Sequence, residues 1–359
     1  MAPEIASLIS VSKRQIYIFL TKEVKYALNM VEVENGPKIL MVSTKLDPHV
    51  DIIASKLNER KIPFVRFNTE DFPLKVSASI YFDGNKQDQK LDFYDGRKIV
   101  GSEINGIWYR RPAQFQFPKE FTPAIHLFAE QESKSTIMGL WEILNCVWVN
   151  HPESNRRAEL KIKQLRMASE VGLEIPKTLI TNNPKDAEKF FRKTQSKGVI
   201  IKRLGGGIML DGNRGSAIYT SLISESDMQK INRVKYTPAL FQEYIQKDLE
   251  LRITIVGNKV FATEIHSQAS QKAKIDWRKD TLNLAHKIHQ LPSDLEQKLI
   301  TFVQKLGLNF GAIDTILTPN DKYVFLEINP NGQWGWIEDL TGFPISESII
   351  DLLMSKSKQ

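Results

Sequence analysis

The chain has 359 residues, a formal net charge of +7, 42% hydrophobic residues and 25% charged residues. This composition excludes disorder as the main state, and the length suits two or three packed domains. No run approaches the roughly 18 apolar residues that span a bilayer, MAPEIASLIS lacks the basic start and long apolar centre expected of a signal peptide, and Cys146 is the only cysteine, so neither an internal disulfide nor a cysteine-rich metal site is expected.

A basic balance favours polyanionic partners: nucleic acid, ATP or an acidic peptide. The basic residues are interspersed with acids and no run of five or six like charges occurs, so nucleic acid is not expected. A protein of the reducing cytoplasm that neither enters nor crosses a membrane fits these facts.

Residues 1–37 hold a short β-like run (15–20) and the turn signal Asn35-Gly36-Pro37, and read as an N-terminal extension. At residue 38 the pattern changes. Ile39-Leu40-Met41-Val42 has buried-strand character, and an amphipathic helix ending near Arg60 follows it. Further strands over 63–67 and 106–111 predict a small α/β domain over 38–150. A second unit, 151–240, starts with a helix predicted over 155–171 and stopped by Gly172. Strand 178–181, helix 184–193 and strand 198–202 continue it. The last unit, 241–359, carries the hairpins 251–256/260–266 and 312–317/323–329 and a closing helix. The expected class is α/β, grading into α+β.

Chemistry concentrates in the second hairpin. Thr318-Pro319-Asn320-Asp321 reads as a four-residue turn, which pairs even positions with odd ones. Asp314 then shares a face with Glu327 and Asn329, and with Ala312, Ile316 and Phe325. Two carboxylates and an amide suit Mg²⁺ when nucleotide phosphates complete its shell, while an ordinary solvent face stays open as the alternative. In the first hairpin Glu250, Arg252 and Thr254 share one face and Leu251, Ile253 and Ile255 the other. That pattern fits either a cross-face ion pair or an arginine fork aimed at phosphate. Lys202 ends an apolar strand ahead of Gly205, Gly206 and Gly207, where backbone N–H groups can approach an anion, although a triple glycine alone reads as a flexible loop. His286 and His289, three residues apart, read as a solvated helix face without partner acids.

The order of these features carries more than any one of them. Lys161, Lys202, Glu243-Tyr244-Ile245, Glu250-Leu251-Arg252, Asp314 and Glu327-Ile328-Asn329-Pro330 follow one another as in the ATP-grasp superfamily, which the chain resembles from residue 38 onward. ELRITIVGNKVFA (250–262), DWRK (276–279), GLNFGAID (307–314), FLEINP (325–330) and FPIS (343–346) look like the microviridin-type peptide ligases, or graspetide synthetases, and WYRR (108–111) fits their N-terminal domain. The resemblance implies an ATP-grasp fold: a small N-terminal α/β domain followed by central and C-terminal ATP-grasp subdomains. It assigns ATP phosphates to Lys161 and Lys202, adenine to Glu243 and the Tyr244–Ile245 backbone, and ribose to Glu250. Mg²⁺, as two ions, falls to Asp314, Glu327 and Asn329, and Arg252 and Arg278 would stabilise the γ-phosphate and acyl phosphate. Glu225, Asp227, Arg110 and Arg111 are the candidates for peptide contact.

The implied reaction joins an ATP-activated Asp or Glu side chain of a ribosomal precursor peptide, bearing a leader segment, to Ser/Thr as an ester or to Lys as an amide. Two other readings stand beside it: a ligase adding amino acids to a protein tail or joining small metabolites, and a non-catalytic peptide- or nucleotide-binding protein. A homodimer is allowed for.

Overall fold

A computed structural model describes residues 38–205, 209–211, 214–216 and 219–355. The N-terminal extension, Gly206 and Gly207 lie outside them.

The chain enters through β1 (Lys38–Ser43), α1 (Pro48–Glu59) and β2 (Phe64–Asn68). Asp47 starts α1 by accepting the His49 amide, with Pro48 in the first turn. A hairpin, β3 (Val76–Asp83) and β4 (Lys86–Phe93), and β5 (Lys98–Val100) form a three-stranded antiparallel sheet. Then come β6 (Ile104–Tyr109), α2 (Pro123–Ile143) and β7 (Val147–Val149). The parallel sheet runs β2-β1-β6-β7. It is covered on both faces, as a buried parallel sheet requires. Ile39 and Met41 point into one core and Leu40 and Val42 into another.

Two short helices follow, α3 (Pro152–Ala158) and α4 (Lys161–Glu170), where a single helix was predicted; Glu159 and Leu160 form the break. The central sheet is antiparallel, in the order β12-β9-β13-β8. It uses β8 (Thr178–Thr181), α5 (Pro184–Thr194), β9 (Val199–Lys202), β12 (Ser221–Leu222), α6 (Glu225–Met228) and β13 (Ala239–Glu243). The small ribbon β10 (Met209–Asp211) with β11 (Arg214–Ser216) lies between β9 and β12 in sequence. Strand β13 crosses the 240/241 boundary drawn from sequence and stays in the central sheet.

The last sheet has five antiparallel strands in the order β16-β15-β14-β17-β18. They are β14 (Leu249–Val256), β15 (Lys259–Ile265), β16 (His286–Ile288), β17 (Phe310–Leu317) and β18 (Tyr323–Asn329). Helix α7 (Ser293–Lys305) fills one face, against Leu251, Ile253, Ile255, Ile313 and Phe325. The chain closes with α8 (Gly335–Thr341) and α9 (Ile345–Met354). Helix α9 returns to the first sheet, where Ile345, Ile349, Ile350 and Leu353 join Ile39 and Met41. Gly106 permits that approach, since a Cβ there would lie 2.5 Å from the Leu353 carbonyl oxygen.

Two expectations are corrected here. His286 belongs to a strand rather than a helix, and His289 has a partner acid: Nδ1 lies 2.8 Å from Glu264 Oε1, and Nε2 lies 2.9 Å from the Tyr323 hydroxyl. The turn between β17 and β18 is also longer than predicted. Leu317 pairs with Tyr323, leaving the five residues 318–322 as the loop.

Candidate active site

The open faces of the central and last sheets meet in a cleft of about 600 Å³. Lys161, Lys202, Gly205, Glu243, Tyr244, Ile245, Glu250, Arg278, Asp314, Glu327 and Asn329 all line it.

Strand β14 is buried on both faces. Its odd positions meet α7, so Glu250 and Arg252 are driven into the cleft side, where they are only 5% and 8% exposed. Neither keeps its charge there unpaired. Lys247 Nζ donates to Glu250 Oε1 at 2.8 Å and to the Ile275 carbonyl at 3.0 Å, and Ser267 Oγ donates to the same carboxylate oxygen at 2.9 Å. Arg252 sits opposite Asp314 in the register, its Nε 3.2 Å from Oδ1, and stacks over Trp277 at 5.4 Å.

Asp314 pairs with Glu327, and Ala312 with Asn329. The predicted even–odd register holds at these positions for a different reason from the one given by turn length. A five-residue loop pairs odd with odd, as in Thr315 with Phe325; Leu326 is then left without a partner and shifts the register by one. This bulge sends Phe325 into the α7 core, correcting its assignment to the Asp314 face, and turns Leu326 and Glu327 to the cleft.

Burial raises the Asp314 pKa, and the nearby Glu327 charge adds to the rise against the pull of Arg252. Burial acts the same way on Glu327 but is outweighed by Lys161, which donates to its Oε2, and by Lys202, so that the Glu327 pKa is lowered. Lys202 is itself pushed down to about 8, by burial first and then by the ammonium groups of Lys161 and Lys247, against the pull of Glu327. Two facing carboxylates and a buried Asp314 Oδ1 that meets Arg252 Nε without forming a hydrogen bond fit a hard divalent cation. Among the described residues no group of three His, Cys, Asp or Glu could hold a metal, so such an ion depends on Asn329 and on ligand oxygens as well. The Asn329 side-chain oxygen also accepts the Asn331 amide at 2.9 Å.

The Glu243 carboxylate accepts the Lys177 amide at 3.0 Å, leaving Oε2 buried and without a hydrogen bond, 3.5 Å from Lys197 Nζ. The Tyr244 amide is committed to the Gly198 carbonyl at 2.9 Å, so the adenine contact assigned to this backbone cannot use that N–H. Arg278 is forked onto Asp276 at 2.8 and 2.6 Å. Hydrogen bonding to Asp276 holds the Arg278 pKa above its ordinary value. Asp276 Oδ2 also accepts the Thr220 amide, 3.2 Å away.

The peptide-contact candidates lie elsewhere. Arg110 is 1% exposed, ion-paired with Asp47 at 3.0 Å and donating to the Gly332 carbonyl at 3.1 Å, so it offers nothing to a peptide. Arg111 is exposed and lines a separate groove of about 890 Å³. Glu225 is paired with Arg192 at 2.6 Å, and Asp227 caps α6 through Ser224. Lys247 and Ser267 went unnoticed in the sequence, and Asp276 and Trp277 were quoted only within DWRK, without roles of their own. Lys247, three residues before Glu250, was the signal available.

Two family models match the chain: the MvdD pre-ATP grasp domain over residues 38–156 and the RimK-like ATP-grasp domain over residues 158–353. A Chryseobacterium gregarium RiPP-associated ATP-grasp ligase, solved with ADP and a leader and core peptide, is 32% identical with a TM-score of 0.83, covering 90% of this chain and 98% of that one. The macrocyclase MdnC of Microcystis aeruginosa MRC, bound with precursor peptide MdnA, is 31% identical with a TM-score of 0.78, covering 88% and 98%. A probable alpha-L-glutamate ligase of Shewanella loihica is 22% identical over 62% of this chain and 72% of its own length.

Proposed function

The chain belongs to the RimK-like ATP-grasp family, and from that premise we propose that it crosslinks a ribosomally made precursor peptide. ATP phosphorylates an Asp or Glu side chain of the peptide, and a Ser/Thr hydroxyl or a Lys amine of the same peptide displaces the phosphate. The product is a lactone or a lactam ring. The observation that carries this reading is the cleft itself: Lys161, Lys202, Arg252 and Arg278 are gathered around the facing carboxylates Asp314 and Glu327. The likeness to two ligases solved with their peptides supports the substrate class.

Each group has a task in this reading. Glu243 and the backbone at Tyr244 and Ile245 receive adenine, through the Tyr244 carbonyl and the Ile245 amide, while Glu250 receives ribose with its orientation held by Lys247 and Ser267. Lys161 and Lys202 neutralise phosphate oxygens. Arg252 and Arg278, held by Asp314 and Asp276, face the charge that develops as the phosphoryl group moves. Bound at Asp314, Glu327 and Asn329, Mg²⁺, as two ions, would neutralise charge on the transferring phosphoryl group. Positioning and electrostatics supply the rate, and no covalent protein nucleophile is needed.

The test is mass spectrometry of a candidate precursor peptide, sought among the short peptides encoded by neighbouring genes, after incubation with ATP and Mg²⁺. Crosslinking removes one water mass per bond. A second reading, addition of free amino acids, is favoured by the name of the Shewanella loihica relative; it predicts a mass gain, and finding one would replace the first.

A further inference from the structure

Six carboxylates line the cleft, and five are already committed: Glu243 to the Lys177 amide, Glu250 to Lys247, Asp276 to Arg278, Asp314 to Arg252 and Glu327 to Lys161. Glu159 is the sixth, and it has neither a hydrogen bond nor an ion pair among the described residues. It sits in the break between α3 and α4, two residues before Lys161. There it lines both the cleft and the groove of about 890 Å³ that runs past α2 and α3; Asn329 is the other residue shared by the two. Along the groove, Arg111 and Lys134 are exposed and have no ion-pair partner among the described residues, whereas Glu153 is paired with Arg156 and Glu142 lies near His151, so an acidic peptide segment entering there meets these two cations. A peptide lying in that groove would reach Lys161 and the cleft by passing Glu159.

Resting on the crosslinking reading, we propose that Glu159 is the base of the second half-reaction, taking the proton of the attacking hydroxyl or neutral amine group. The nucleophile's oxygen or nitrogen bonds to the acyl carbon, and the bond from that carbon to the phosphate oxygen breaks. The electron pair leaves with phosphate, and the proton passes to Glu159. Partial burial raises the Glu159 pKa above that of an ordinary glutamate, which makes it a better proton acceptor. The other carboxylates would have to surrender an ion pair or hydrogen bond first.

Glu159→Gln separates the two half-reactions. With the neighbouring-gene peptide, ATP and Mg²⁺, bond formation should fall about 100-fold or more, while ADP formation in the first turnover stays within a few-fold of wild type. Hydroxylamine should then trap the waiting acyl phosphate as a hydroxamate on the peptide. Glu159→Asp should recover part of the bond formation, and an unchanged nucleotide-induced thermal shift shows that the fold and ATP site are intact. Bond formation at the wild-type rate overturns the proposal, and so does a parallel loss of the first-turnover ADP. A wild-type enzyme that forms no bond on this peptide instead overturns the crosslinking reading, and the assignment falls with it.

Discussion

Asp314 and Glu327 stand directly opposite each other in the β17–β18 ladder, and they do so because Leu326 is left out of the pairing. Neutralising Glu327 removes half of this facing pair and strands the Lys161 ammonium. Glu327→Gln should lower ADP production about 100-fold or more, at the scale of losing a preorganised charge in a transition-state site, while far-UV circular dichroism is unchanged. Turnover within a few-fold of wild type would contradict the metal assignment.

Lys247 and Glu250 form an ion pair whose side chains are only 4% and 7% exposed. Removing one partner of such a pair leaves a buried charge, so Lys247→Met should cost about 3 kcal/mol of stability by denaturant titration. Because Lys247 also holds Glu250, the carboxylate proposed to receive ribose, the KM for ATP should rise about tenfold and selectivity for ATP over deoxy-ATP should shrink. An unchanged nucleotide preference would leave Lys247 a purely structural role.

Lys202 has its pKa pushed down to about 8 in the free protein. Below that pH it is charged and above it neutral. Bound phosphates favour the ammonium form and raise its pKa, so binding takes up a proton above pH 8 and ATP affinity falls as pH rises through that value. Calorimetric titrations in buffers of different ionisation enthalpy read the proton directly. Affinity that stays flat from about pH 7 to 9.5 would contradict the shift.

Helix α9 lies so close to Gly106 that an added Cβ would meet the Leu353 carbonyl oxygen at 2.5 Å. Backbone cannot yield as a flexible side chain does. Gly106→Ala should therefore cost about 1–3 kcal/mol, the range for overpacking, measured by chemical denaturation. A neutral result would mean that α9 shifts freely on the sheet.

Burial pushes the Cys146 thiol up to about 12, so at neutral pH almost none is thiolate. The native protein should react slowly with a disulfide reagent and the unfolded protein quickly. Fast native labelling would place Cys146 in water.

Much of this site was legible from the order of residues along the chain, since ELRITIVG, DWRK and FLEINP supply groups that the cleft brings together. What stayed hidden was geometry that no spacing encodes. The bulge at Leu326 arises from how β18 fits β17, and turn length alone gave the correct facing of Asp314 for an incorrect reason. Glu264 joins His289 across strands, 25 residues apart. Helix α2 was missed because residues 123–132 have no buried face, and only Ser133, Ile137, Leu140 and Trp141 of the helix are buried. Arg110 looked like a contact residue because charge is visible in a sequence, whereas its burial against Asp47 is not.

Carboxylate activation is the central claim, and the fate of one oxygen atom tests it. If the peptide's Asp and Glu side chains carry a heavy-oxygen label, each bond formed should release one phosphate bearing one labelled atom, matched by one ADP. Unlabelled phosphate accompanying the crosslink would mean that ATP does not activate the peptide carboxylate, and would contradict the account.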